Sequence, residues 1–171
     1  SSGARATTGD AASLSAGSGA DARLVEAVEA GDLEAARAAV AEGASVRAQE
    51  AQRGAGPLHV ACHHGHLDVA KWLHSAGATI NATDNEGQTS LHFTCQKGHL
   101  DVAQWLHSAG ATVDATDNEG QTSLHFACLQ GHLDVAQWLQ SAGATVYTTD
   151  NEGMASLHFA CLQGHLDVAQ W

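Results

Sequence analysis

The sequence predicts an all-α solenoid built from stacked helix-turn-helix units with projecting β-turn fingers. The first observation behind this prediction is a repeat of 33 residues: residues 84–116 and 117–149 are identical at 27 of 33 positions. The second is that each copy holds two short apolar segments, each followed by glycine, as expected for a pair of short helices. A fixed period of this length indicates units that bury their apolar faces against one another.

The period divides the chain into six parts. Residues 1–20 are rich in Ser, Gly, Ala and Thr, and we predict that they are disordered. Residues 21–50 are predicted to form a divergent N-terminal capping pair of helices. The repeats proper are residues 51–83, 84–116, 117–149 and an incomplete copy, 150–171. The spacing from Gly43 to Gly77 is 34 residues, so one loop carries an extra residue.

The elements of one copy follow from local signals. Thr89 is a favourable N-cap for a first helix that ends at Gly98. A second apolar stripe follows, with Asp101 in its first turn, where the helix dipole favours an anion, and Gly110 as its left-handed end. Residues 111–120 are predicted to be extended and to finish in an Asp/Asn/Gly turn. Helices this short are marginal alone, so stacking must stabilise them.

The pattern T-x-L-H…G-H…L…G-A at this period resembles the ankyrin repeat over about residues 21 to 171. The proline that the family usually places before Leu-His is present only as Pro57, and Ser90, Ser123 and Ser156 replace it in the other copies. The resemblance implies a protein-interaction module, a scaffold or adaptor, and not an enzyme. It also implies that binding uses the turn tips and the exposed side of the first helix.

Matching those two regions to this chain gives the candidate binding residues. The tip positions are Asn85, Glu86, Gln88, Asn118, Glu119, Gln121, Asn151, Glu152 and Met154. The first-helix positions are His63, His64, Gln96, Lys97, Leu129, Gln130, Leu162 and Gln163. Two of the six differences between the near-identical copies fall at these first-helix positions.

Every full copy also holds His-x-x-Cys-x-x-x-His, which could suggest zinc because imidazole and thiolate are zinc ligands. Copy by copy, the three residues are His59, Cys62, His66; His92, Cys95, His99; His125, Cys128, His132; and His158, Cys161, His165. A glycine interrupts the helix before each second histidine, and duplication explains a fourfold set better than four metals do. We therefore predict packing roles, no metal and no cofactor. A metal- or thiol-dependent domain is the alternative, and a purely structural spacer is another.

Equivalent cysteines of stacked copies should lie about 10 Å apart, too far for a disulfide. Four unpaired thiols suit a reducing compartment, so we expect an intracellular, cytoplasmic protein. The tryptophans Trp72, Trp105, Trp138 and Trp171 also recur at the 33-residue period. We expect them to fill the layer between copies, with Trp105 largely buried.

The formal charge is −12, and no Lys or Arg follows Lys97. This imbalance argues against a nucleic-acid partner, whose phosphates would need basic side chains, and no apolar run is long enough for membrane insertion. The partner is expected to be another protein with a basic surface. The last copy stops within its second helix, so we expect more chain to follow. We also expect an uncovered outward face at Leu157, Ala160, Cys161, Leu166 and Val168.

Overall fold

A computed structural model of the protein describes residues 10–171, with side chains from residue 19 onward. Over this range the chain is all-α, and the prediction of fold class is confirmed. The helices are α1 (Asp10–Glu29), α2 (Leu33–Ala41), α3 (Pro57–His64), α4 (Leu67–Ser75), α5 (Ser90–Lys97), α6 (Leu100–Ser108), α7 (Ser123–Gln130), α8 (Leu133–Ser141), α9 (Ser156–Gln163) and α10 (Leu166–Gln170). Apart from isolated antiparallel bridges at the fingers, this part of the chain forms no β-structure.

The helix pairs stack in chain order. The first helices α3, α5, α7 and α9 each contact the next, and the second helices contact one another less closely. One continuous apolar core runs through the stack, and its buried leucines recur at equivalent positions. They are Leu73, Leu106 and Leu139 of the second helices and Leu58, Leu91 and Leu124 of the first. Burying one such side chain contributes about 1.5–3 kcal/mol, which no isolated eight-residue helix could gain.

Each first helix begins and ends as the sequence predicts, but the contacts at its start differ. Thr89 is the N-cap of α5, yet its hydroxyl does not cap the helix backbone. Instead, the Thr89 backbone N–H donates to His92 Nδ1 at 3.0 Å, and its hydroxyl lies 2.9 Å from the same nitrogen. Gly98 ends α5 with φ at +76°, a conformation that costs glycine little.

The fingers are tight turns that stack on one another. In the last three, an aspartate oxygen accepts two backbone N–H groups; Asp84 Oδ1 accepts from Glu86 and Gln88 at 2.9 and 2.8 Å, and Asp117 and Asp150 do the same. The extra residue of the first copy lies in its finger, where the Glu50 N–H donates to the Ala55 carbonyl oxygen across a turn one residue longer.

The N-terminal helices α1 and α2 pack against each other, and Leu24 and Val28 of α1 are buried. Helix α1 begins at Asp10, which differs from the disorder predicted for residues 1–20. Alanine is the strongest helix former and recurs through residues 11–22, so the helix extends back from its packed end. Residues 1–9 lie outside the described part of the chain.

Two expectations about packing need correction. Trp105 is half-buried and not largely buried, because its indole lies at the edge of the layer, against His74 at a ring-centroid distance of 6.1 Å. At the last copy, Leu157, Cys161 and Leu166 are exposed as expected. Ala160 and Val168 are instead buried, because they face the preceding copy.

Candidate protein-interaction surface

The sequence-predicted binding residues lie on two neighbouring features of the stack. We call the turn tips together with the C-terminal ends of the first helices the finger face. Its exposed members are His64, Asn85, Glu86, Lys97, Asn118, Glu119, Gln130, Asn151, Glu152, Leu162 and Gln163. Its half-buried members are His63, Gln88, Gln96, Gln121, Leu129 and Met154. The glutamates at the tips and the polar residues at the helix ends are therefore the groups most available to a partner.

The asparagines of the tips have a structural role that the sequence did not reveal. Asn118 Nδ2 donates to the Asn85 carbonyl oxygen at 3.0 Å, and its backbone N–H donates to the Glu86 carbonyl oxygen at 2.9 Å. Asn151 repeats both contacts one copy further along, with Asn118 and Glu119. These bonds form a ladder that fixes one finger against the next, so the asparagines are engaged within the stack.

The half-buried tip residues also support the stack. His92 Nε2 lies 3.2 Å from the Gln121 carbonyl oxygen, and His125 Nε2 lies 3.1 Å from that of Met154. These two tip residues therefore hold the preceding copy through their backbones, and only their side chains remain for a partner.

In the first three copies, the first histidine joins a helix start to the next finger: His59, His92 and His125 each place Nε2 on a backbone carbonyl oxygen there. In His92, Nδ1 accepts the Thr89 N–H and Nε2 lies 3.0 Å from the Ala115 carbonyl oxygen. A backbone N–H can only donate and a carbonyl can only accept, so the ring is neutral with its proton on Nε2. Burial lowers the pKa of His92 below its ordinary value, while Asp117 and the backbone carbonyls act in the opposite direction.

The second histidine of each copy joins that copy to the previous one, a role that sequence analysis missed. The rings of His66, His99, His132 and His165 each lie over the glycine that ends the preceding first helix. Each Nε2 donates to a backbone carbonyl of the previous pair, and His132 does so to Gln96 at 3.1 Å. The constant Gly-His sequence was the available signal, but the partner lies 36 residues away and only stacking reveals it.

The cysteines do not join these histidines in a metal site. Among residues 10–171, no three His, Cys, Asp or Glu side chains lie together in an arrangement that could hold a metal ion. The four thiols are unpaired, and all but Cys161 are buried. Burial raises the pKa of Cys62 to about 12 and that of Cys128 to about 11. Such thiols remain protonated and unreactive at neutral pH.

No helix in the described part of the chain is both long enough and apolar enough to cross a membrane. The stacked helix pairs, the finger ladder and the paired histidine columns define a helical repeat solenoid. Models of ankyrin repeats match residues 24–117 and 107–171, and the chain belongs to the ankyrin repeat family. Ankyrin repeats are protein-interaction modules.

Two curated relatives share part of this chain. Human protein phosphatase 1 regulatory subunit 27 is 42% identical over 66 residues, which is 39% of this chain and 42% of the relative. The mouse protein of the same name is 41% identical over 66 residues, with the same coverage. The chain thus spans less than half the length of these relatives. The matched length equals that of two 33-residue copies.

Proposed function

We propose that this chain is a non-enzymatic protein-interaction module, a scaffold or adaptor, that binds a partner through the finger face. The observation that carries this proposal is the distribution of differences between the two near-identical copies. Only the pair Thr94 and Ala127 is buried, and the other five pairs are exposed or half-buried. Two of those five, Gln96/Leu129 and Lys97/Gln130, lie at the first-helix ends.

The side chains that could carry chemistry support a non-enzymatic role. The imidazoles of both histidine columns are committed to backbone groups, as in His92 and His99. The buried thiols have a raised pKa, which disfavours the nucleophilic thiolate. These histidines and the buried cysteines therefore serve to stabilise the stack. The finger face is the surface that remains available for binding a partner.

The experiment compares two charge-matched pairs of substitutions. Gln130→Arg with Gln163→Arg alters the finger face, and Gln104→Arg with Gln137→Arg alters the second helices; all four glutamines are exposed. Each tagged protein is used to isolate partners from cell extract, with quantification by mass spectrometry. Binding to a partner purified from that set is then measured directly.

We expect the finger-face pair to weaken binding at least tenfold and the second-helix pair to change it less than twofold. Equal effects of the two pairs would contradict binding through the finger face. If the chain binds no protein reproducibly, the result would favour the alternative that it is a purely structural spacer.

We further propose a cytoplasmic location, because the unpaired thiols are suited to a reducing compartment. Fractionation of cells that produce the full-length protein tests this. Recovery in a secreted or lumenal fraction would contradict it.

A further inference from the structure

The finger face changes charge from one end of the stack to the other. The ladder shows which tip residues are equivalent. The backbone N–H of Asn85 donates to the Arg53 carbonyl oxygen, and in the next finger the backbone N–H of Asn118 donates to the Glu86 carbonyl oxygen. The same tip position is therefore occupied in order by Arg53, Glu86, Glu119 and Glu152. At the helix ends, one position is occupied in order by His63, Gln96, Leu129 and Leu162. The position after it is occupied in order by His64, Lys97, Gln130 and Gln163.

The first end of this face carries the basic residues Arg53 and Lys97 beside a pair of imidazoles, with Glu86 at the tip of the same copy as Lys97. The rings of His63 and His64 lie 4.9 Å apart between centroids, and His63 also packs edge-on against Phe93 at 6.1 Å. Burial lowers the pKa of His63, and the charges of Lys97, His64, His99 and Arg53 lower it further. Arg53 and Lys97 therefore lie near enough to His63 to act on its charge, and around the paired His63 and His64 rings another cation is disfavoured and an anion is favoured.

The other end has the opposite character. Glu119 and Glu152 are exposed at their tips, and no Lys or Arg follows Lys97 in the chain. The cationic and acidic ends belong to copies two positions apart, and stacked helices lie about 10 Å apart. The charge centres are thus about 20 Å apart, which about six residues of extended peptide would span.

We infer that the finger face selects a partner segment of opposite polarity: an extended peptide with carboxylates at one end and basic residues about six positions away. Its carboxylates would lie at Arg53 and Lys97, and its basic residues at Glu119 and Glu152. This inference rests on the proposed function and refines the expectation of a simply basic partner, because charge complementarity sets the register as well as the attraction.

The test uses two synthetic peptides of the same composition and zero net charge. In the block peptide, three aspartates are separated by a neutral spacer from three lysines; in the alternating peptide, the charges are interleaved. Binding to the whole chain is measured by fluorescence anisotropy at low salt. We expect the block peptide to bind at least tenfold more tightly than the alternating peptide, with a steeper dependence on salt.

A pair of charge reversals locates the binding. Arg53→Glu with Lys97→Glu should reduce binding of the block peptide at least tenfold. Arg37→Glu with Lys71→Glu makes the same charge change at exposed positions on the second helices and should reduce it less than threefold. Circular dichroism confirms that each variant is folded.

Equal affinity for the two peptides, no measurable binding, or equal effects of the two pairs would overturn the inference. The proposed function fails separately, through the glutamine pairs described above. If the glutamine substitutions weaken partner binding only on the finger face, while the two peptides bind with equal affinity, the finger face binds proteins without requiring this order of charges.

Discussion

The imidazole of His99 lies on Gly65, the residue that ends the first helix of the preceding copy. His99 Nε2 donates to the His63 carbonyl oxygen at 3.1 Å, two residues before that glycine. A Cβ atom on Gly65 would lie 2.8 Å from the ring, closer than van der Waals contact allows. Glycine is thus required at this position for two reasons, the left-handed backbone at φ +74° and the ring above it.

A double-mutant cycle separates these two requirements. We expect Gly65→Ala to lower the free energy of unfolding by about 2–3 kcal/mol, through left-handed strain and the displaced ring together. In the His99→Ala background the same change should cost only about 1 kcal/mol, because the backbone term alone remains. Urea unfolding of the four proteins measures the coupling. Additive effects would show that the ring does not restrict this glycine.

Because the first histidines of the first three copies are buried, we predict that the stack loses stability in mild acid. Burial lowers the pKa of His59, His92 and His125 in the folded state, whereas in the unfolded chain they titrate near the ordinary value of about 6.5. Below that pH the unfolded state binds more protons, so stability is present above about pH 6.5 and is lost as the pH falls further.

The measurement is the urea midpoint between pH 7.5 and 5.5, together with nitrogen NMR of the His92 ring. We expect the midpoint to fall with acid and the ring to stay neutral, protonated on Nε2, at pH 6. A midpoint that rises on acidification, or a doubly protonated ring in the folded state at pH 6, would contradict the assignment.

The serine that replaces proline at the start of three helices should be a weak point. The hydroxyls of Ser90, Ser123 and Ser156 are buried without a nitrogen or oxygen partner, and those of Ser90 and Ser123 lie near only the thiols of Cys62 and Cys95. Pro57 occupies the same first helical position in α3, and Thr89 already has the extended backbone that a following proline requires. Ser90→Pro should therefore raise the free energy of unfolding by about 0.4–1 kcal/mol.

Ser90→Ala is the matched control, because it removes the hydroxyl without fixing the backbone. We expect it to be neutral or slightly stabilising in thermal and urea unfolding. A loss above about 1 kcal/mol in Ser90→Ala would mean that the hydroxyl makes a useful interaction, for example with the nearby Cys62 thiol.

Cysteine reactivity should distinguish the last copy from the others. Cys161 is exposed, whereas Cys62, Cys95 and Cys128 are buried and their thiols have a raised pKa. A maleimide should therefore label one thiol per native chain quickly, and mass spectrometry should locate the label at Cys161. Cys161→Ser should abolish the fast phase. Rapid labelling of Cys95 in the native chain would show that the stack opens more readily than its packing indicates.

The sequence predicted the features that depend on one copy alone. The helix ends at Gly98 and Gly110 follow from local backbone preference, and the buried leucines follow from periodicity. The contacts between copies were not predictable in the same way. His99 reaches a carbonyl 36 residues away, and Asn118 one 33 residues away. Such contacts depend on how the copies are stacked.

The candidate surface shows the same limit. The exposed glutamates and helix-end side chains could be placed from the family pattern, as Glu119 and Gln130 illustrate. The pattern could not show that Asn118 is engaged in the ladder, because an asparagine at a tip is equally suited to a turn, a ladder or a partner. It also overestimated the burial of Trp105, since position in an apolar stripe does not reveal which edge faces solvent.

The most direct measurement of the central claim is carboxyl footprinting of the chain with and without its purified partner. A water-soluble carbodiimide labels exposed carboxylates, and mass spectrometry reports each site. We predict that the finger-face residues Glu86, Glu119 and Glu152 become protected in the complex, while Asp101 and Asp134, exposed on the second helices, stay as reactive as in the free chain. Protection of Asp101 and Asp134, with the three glutamates unchanged, would contradict binding through the finger face.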